Sequence, residues 1–312
     1  MPWHALRRPV MRRGRRWQAL WRGWRMREDA VWQRKELSPI IAGLSPEQQQ
    51  AAIRDACERL HATPEGGIHS GVKRTGIGTK IVQPDGGPAW LKITAKGGKT
   101  EHWHRRGEQL AQTIDGVPKP VILRELEWSH EGAGLHAFVY SFIPSPSVQP
   151  TPWVSVPMPD LDETWLAALA QSLRLIGEQP LVRWLIHPGP VARVVGQRFG
   201  RRAPYDVDEW RMAHGDLHWG NVTAPTLSLI DWEFYGAAPR GYDAAMLMMF
   251  ASNDRELFER FEIAFADDLN TRSGLIARLH TIASRLKRIE EGKSDPRHYR
   301  RLEREAERLL KM

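Results

Sequence analysis

Two carboxylates and an amide lie close enough in the chain to act on one phosphate. In His214-Gly215-Asp216-Leu217-His218-Trp219-Gly220-Asn221, Asp216 and Asn221 are five residues apart on a loop and can converge on one point. Leu229-Ile230-Asp231-Trp232-Glu233 follows, and supplies further carboxylates. Phosphoryl transfer from ATP needs a carboxylate that orients or deprotonates the acceptor hydroxyl, and oxygen ligands that hold Mg²⁺ against the phosphates. Asp216, Asn221 and Asp231 are of those types. Their oxygens are the hard donors that Mg²⁺ takes while keeping several waters.

The surrounding elements must bring these groups together. Short strands near 221–224 and 227–231, joined through Ala224-Pro225-Thr226, would return Asp231 to the loop. Upstream, Ser45-Pro46-Glu47-Gln48 combines an N-cap, a first-turn proline and a capping-box partner. The helix it opens, over 46–62, places Ile53, Ala56, Cys57 and Leu60 on one stripe, so Cys57 reads as a core residue. From Gly66 to Pro144 the pattern turns to strands, near 68–74, 77–83, 89–95, 120–128 and 135–143, with one helix near 100–115. Trp90-Leu91-Lys92-Ile93 puts a lysine inside an apolar alternating strand, where a charge needs a partner. A Pro- and Ser-rich run over 141–152 marks a hinge. Helices then dominate, near 161–177, 189–199, 241–252, 254–269, 272–291 and 296–311. The expected organisation is a basic extension over 1–35, a helical segment over 36–65, a β lobe over 66–143, a linker over 144–160 and a helical lobe over 161–312.

Over residues 214–243 the chain resembles the aminoglycoside phosphotransferase and choline kinase family. His214-Gly215-Asp216 with Asn221 looks like that family's catalytic loop, Ile230-Asp231-Trp232-Glu233 like its metal-binding strand end, and Gly241-Tyr242-Asp243 like the acidic helix start that follows. The resemblance implies an α+β, protein-kinase-like fold, with a small antiparallel β lobe carrying one helix and a larger, mainly helical lobe. It also implies an ATP- and Mg²⁺-dependent phosphotransferase acting on a hydroxyl of a small molecule. Asp216 would act on the acceptor hydroxyl, Asn221 and Asp231 would hold the metal, and His214 and Asp243 would support the loop. His218 would donate to the transferred phosphoryl group or hydrogen-bond within the loop, and Glu233 would assist at the metal or sit on a solvated turn. Trp219 would wall the acceptor site. Lys92 would hold the nucleotide phosphates, partnered by Glu108, with Glu101 as the competitor. Gly71, Gly76 and Gly78 would form the turn that covers the nucleotide.

Charge narrows the partners. The 312 residues carry a net charge of +8, but 1–35 hold eleven Lys/Arg against two acids, and 36–271 hold twenty-two against twenty-nine. The basic character is therefore terminal, and a nucleic-acid partner loses its main support. The arginines and tryptophans of the first 35 residues fit a membrane-surface arm or an extension without function. Asp206, Asp208, Glu209, Asp267 and Asp268 fit a cationic acceptor, such as an aminoglycoside-like antibiotic or an amino alcohol, or else a solvated face. No apolar run follows the early arginines and Cys57 is the only cysteine, which points to the cytoplasm. Two other readings share the fold. A protein kinase lacks support because no activation-loop-like stretch separates Asp231 from Gly241, and an inactive nucleotide-binding module because Lys92, Asp216, Asn221 and Asp231 are all present.

Overall fold

A computed structural model describes residues 45–70, 76–130 and 132–312. The extension expected over 1–35 and Gly71 lie outside them. Helix α1 (Pro46–Leu60) opens on the expected capping box, with the Ser45 hydroxyl accepting from the Gln48 N–H and the Gln48 side chain from the Ser45 N–H. Five strands follow: β1 (Thr63–Ser70), β2 (Gly76–Val82), β3 (Pro88–Ala95), β4 (Ile122–His130) and β5 (Ala133–Ser141). They form one antiparallel sheet in the order β1-β2-β3-β5-β4. The first strand lies earlier than the expected 68–74. Its sequence is polar and almost wholly exposed, so it carries no alternation to read, and pairing with β2 alone sets its bounds.

Period two along β3 explains the small lobe. Ala89, Leu91, Ile93 and Ala95 are buried against α1, where they share a core with Ile53, Cys57 and Leu60. Trp90 and Lys92 therefore point to the opposite face. Burial pushes the Cys57 thiol up to about 11, as suits a core residue.

On that opposite face lies α2 (Gly98–Ala111), between β3 and the rest of the molecule. The large lobe contains α3 (Glu163–Gly177), α4 (Pro188–Phe199), α5 (Tyr242–Phe250), α6 (Arg255–Ala264), α7 (Ala266–Leu269), α8 (Arg272–Glu290) and α9 (Tyr299–Leu309). These pack around a core of their own, centred on residues such as Leu169, Leu217, Trp232 and Phe250. The helix expected over 254–269 breaks at Phe265, whose backbone leaves the helical range. The last begins with a 3₁₀ turn at Pro296–His298.

Two strands near the loop differ from expectation. Residues 221–224 and 227–231 form no strands; a single bridge, Val222 to Leu229, joins them, with the Ile230 N–H donating to the Asn221 carbonyl at 3.0 Å. The paired strands are β6 (Trp210–Ala213) and β7 (Gly236–Pro239), on either side of the loop. The Pro-rich run is docked rather than free. Ser147 bridges to Thr223, and the Gln149 N–H donates to the Trp219 carbonyl at 3.0 Å.

Candidate active site

Between the lobes is a cleft of about 610 Å³. Asp216, His218, Asn221, Asp231 and Glu233 border it from the large lobe, and Lys92, Glu108, Gly76 and Gly78 from the small one.

The loop is held from behind. At the start of α5, the buried Asp243 carboxylate accepts the N–H of His214 at 2.7 Å and of Gly215 at 3.0 Å. Burial and the nearby Asp216 charge push the Asp243 carboxyl up to about 6, against the pull of these two donors. His214 is fully buried and donates from Nε2 to the Ile230 carbonyl at 3.0 Å, which ties the loop to the segment carrying Asp231. Gly215 sits at φ +89, and a Cβ there would lie 2.4 Å from the Phe234 carbonyl, so only glycine fits this turn. The Asn221 amide donates to the Asp216 carbonyl at 2.9 Å, which leaves its side-chain oxygen as an acceptor. The His218 Nδ1 accepts the Gly220 N–H at 3.1 Å, so its neutral ring carries the proton on Nε2.

Lys92 crosses the cleft. Its Nζ is 2.8 Å from Glu108, 2.6 Å from Asp231 and 3.6 Å from Glu233. Burial pulls the ammonium down, but Asp231, Glu108 and Glu233 outweigh that and hold it well above the lysine range. The Asp231 side chain is 39% exposed to the open cleft; desolvation by the walls pushes its carboxyl up, and Lys92 brings it below the usual range. Asp231 takes the left-handed conformation, φ 65 and ψ 65, which turns the chain sharply into the 3₁₀ turn at Trp232–Phe234. That turn packs on α2 at Gly107, where a Cβ would lie 2.4 Å from the Glu233 carbonyl. The close approach sets Glu108 opposite Lys92. Glu101 instead faces Arg105, at 3.5 Å.

Three expectations change. Gly76 and Gly78 lie within β2, paired with Thr94 and Lys92, and not in a covering turn. A Cβ at Gly78 would stand 2.6 Å from the Trp90 indole, so glycine there makes room for that ring in the cleft. Trp219 has no exposed surface; its indole donates to the Leu247 carbonyl at 3.2 Å, and it belongs to the core rather than an acceptor wall. The acids invoked for a cationic acceptor do not line the cleft. Glu209 and Asp268 are held by Arg240 at 3.0 and 2.6 Å, and Asp208 by the Ser273 hydroxyl.

Sequence reasoning did not anticipate Arg183. Its guanidinium lies 3.5 Å from the centre of the Trp103 ring and donates to the Trp103 carbonyl at 2.8 Å, joining the segment before α4 to α2. Burial pulls it down to about 10. Its signal was only a lone arginine in a loop.

A Mg²⁺ ion fits the donors present. Asn221 and Asp231 offer hard oxygens on one wall of the cleft, and among the described residues no group of three or more His, Cys, Asp or Glu could hold a metal alone. Nucleotide phosphates and water would complete the shell, as is usual for Mg²⁺.

The buried histidines give the site a pH signature. Burial pulls both His214 and His280, on α8, to about 4. Unfolded, each binds its proton near pH 6.5 and folded only near 4, so each adds stability above 6.5 that is lost as pH falls toward 4. Asp243 works in reverse, favouring the fold as pH drops below about 6. A shift of this size corresponds to about 3 kcal/mol. Unfolding free energies from urea titrations of His280→Phe should therefore fall less between pH 6.5 and 4 than those of the parent, by about that much. Parallel curves would show that burial does not suppress this histidine's protonation.

Residues 199–275 match the model of the phosphotransferase enzyme family. No curated protein sequence matches the chain. Among solved structures, a thermostable mutant of aminoglycoside phosphotransferase APH(4)-Ia is similar, with a TM-score of 0.54 and 13% identity over 83% of this chain and 98% of that one. Amicoumacin kinase hAmiN, in complex with AMP-PNP, Ca²⁺ and Ami, has a TM-score of 0.53 and 15% identity over 88% of this chain and 96% of its own. Macrolide 2′-phosphotransferase type I has a TM-score of 0.52 and 14% identity over 84% and 98%. The fold is thus the two-lobe, kinase-like fold of these enzymes, and Asp216, Asn221 and Asp231 lie within the segment that matches the family model. Among the described residues no helix is long and apolar enough to cross a membrane.

Proposed function

We propose that this protein is a small-molecule kinase that transfers the γ-phosphoryl group of ATP to a hydroxyl of its acceptor, with Mg²⁺. The observation that carries this reading is the convergence of Lys92 and Glu108 of the small lobe with Asp231 of the large one, in a cleft that Asp216 and Asn221 also border. The AMP-PNP and Ca²⁺ of the hAmiN complex support a nucleotide and a divalent cation at such a site.

Each residue's part follows from its position. The acceptor oxygen attacks the γ-phosphorus, its bond to the β–γ bridging oxygen breaks, and the hydroxyl proton passes to the Asp216 carboxylate as ADP leaves. Lys92 binds nucleotide phosphate oxygens and is aimed by Glu108, whose burial leaves it no other use for its charge. Asn221 and Asp231 would hold Mg²⁺, which would screen the phosphate charge when bound. His218 borders the cleft, and its ring is placed beside the position where the phosphoryl group would be transferred. Trp90, Tyr140 and Ile230 make the apolar walls where a base can lie. His214 and Asp243 keep the loop in place before any ligand arrives, which lowers the reorganisation cost of the reaction.

ADP release with Mg·ATP, measured across aminoglycosides, macrolides, amino alcohols, sugars and hydroxy acids, tests the proposal. Acceptor-dependent release above the rate with water is expected. Failure to bind Mg·ATP would overturn the reading.

A further inference from the structure

Beyond Asp216 and His218, away from the nucleotide walls, lies a second group of side chains that the phosphate chemistry does not use. Arg285, on α8, is half-buried there. Its guanidinium lies 4.7 Å from the ring centre of Phe250 and 5.8 Å from that of Trp153. Trp153 is stacked on His298 at 3.6 Å with the planes 1° apart, and Phe250 meets the His218 ring edge-on at 5.9 Å. Trp153 directly follows Thr151 and Pro152, which border the cleft. The group therefore adjoins the cleft, through Pro152 on one side and the Phe250–His218 contact on the other.

Its charge is the unusual feature. Among the described residues, no carboxylate lies within 4 Å of the Arg285 guanidinium. Its polar partner is the Ser294 hydroxyl, at 3.3 Å. The aromatic rings fix the position of the guanidinium without neutralising it. Arg288 adds a like charge near it, and His298, within its reach, is itself flanked by Arg297 and Arg301. The nearest acid of that segment, Asp295, is bound by Arg297 at 2.8 Å. Burial and Arg288 lower the guanidinium to about 10, while Asp216 and Tyr242 pull the other way, which places Arg285 within electrostatic reach of the proposed base. A half-buried fork-shaped cation with no carboxylate at ion-pair distance matches a carboxylate-type anion.

We infer that the acceptor is a hydroxyl compound bearing a carboxylate-like anionic group, and that Arg285 receives that group and positions the hydroxyl at Asp216. The inference rests on the proposed kinase function and reverses the charge expected from the acidic sequence segments. A cationic acceptor would meet a like charge beside its reacting hydroxyl, and repulsion of that kind is an effective means of discrimination.

Calorimetric titration of the full chain saturated with Mg·ADP tests it, using 4-(2-hydroxyethyl)benzoate, its carboxamide and 4-(2-hydroxyethyl)benzylammonium. The benzoate is expected to bind at least about tenfold more tightly than the ammonium compound, the discrimination of one charge-assisted contact. Arg285→Gln should bring the two within about twofold, on the same scale. Arg285→Lys, which keeps the charge and loses the fork, should retain the preference at reduced size, and guards against a folding defect in the glutamine variant. Equal or inverted preference in the parent, an undiminished preference in Arg285→Gln, or no binding of any of the three to the Mg·ADP complex would overturn the inference. Failure to bind Mg·ADP at all would instead strike at the kinase reading itself.

Discussion

Asp216→Asn should lower kcat for acceptor phosphorylation by about 10²- to 10⁴-fold, the usual worth of a positioned base, while Mg·ATP still binds. The loop does not depend on this carboxylate. Its backbone is fixed by Asp243 through the N–H groups of His214 and Gly215, and by the His214 bond to Ile230. Asn221 is held by the Asp216 carbonyl, which the substitution keeps. Asparagine is isosteric and its amide oxygen can still accept a hydrogen bond, so what disappears is the negative charge and the ability to take the hydroxyl proton. Steady-state kinetics beside a nucleotide titration separate the effects. A kcat within tenfold of the parent would mean that Asp216 is not the base.

Lys92→Met is expected to be the other severe variant, for two separable reasons. The ammonium meets Glu108 on its own side of the cleft and Asp231 and Glu233 across it. Without it the phosphates lose a charge-assisted partner, and kcat/KM for ATP should fall by about 10²-fold or more, the loss of two to three kcal/mol of differential binding. Glu108, buried at 4% exposure, is also left without its partner. Leaving one member of a buried pair alone typically costs about 3–5 kcal/mol. The Lys92→Met, Glu108→Gln double variant removes that stranded charge. It should recover much of the lost melting temperature and none of the lost activity. If activity returned with stability, Lys92 would be a structural residue only.

The charge of the acceptor shows where local reading stops. Asp206, Asp208, Glu209, Asp267 and Asp268 were visible in the chain, but not the partners that hold Asp208, Glu209 and Asp268: Arg240 and Ser273 come from other segments. Arg285 drew no attention among the charged residues of the last two helices, because a helix face looks solvated until the elements across from it are known. Trp219 failed for the converse reason: a motif position suggests a site, but its burial depends on Leu247 and Phe261, far along the chain.

Spacing was sufficient to set Asp216 and Asn221 on one loop, since groups within a few residues are joined by the chain itself. The Ser45 capping box and the alternation of β3, which marked Lys92 as a charge needing a partner, were legible on the same terms. Glu108, as its partner, followed from the family resemblance, which sets a glutamate of the next helix against such a lysine. The resemblance also added the parts of Asp231 and Asp243, though Asp231 stands at a 3₁₀ turn where a strand end was expected. Only the tertiary structure decided that Lys92 also meets Asp231, from 139 residues away, that β6 and β7 frame the loop where a hairpin was expected, and that Arg285 stands among Phe250, Trp153 and His298. β7 is Gly-Ala-Ala-Pro, wholly buried, with no alternation to announce a strand. Such contacts are set by packing between segments distant in sequence, and a side chain's charge acquires a function only once its neighbours across the cleft are in place.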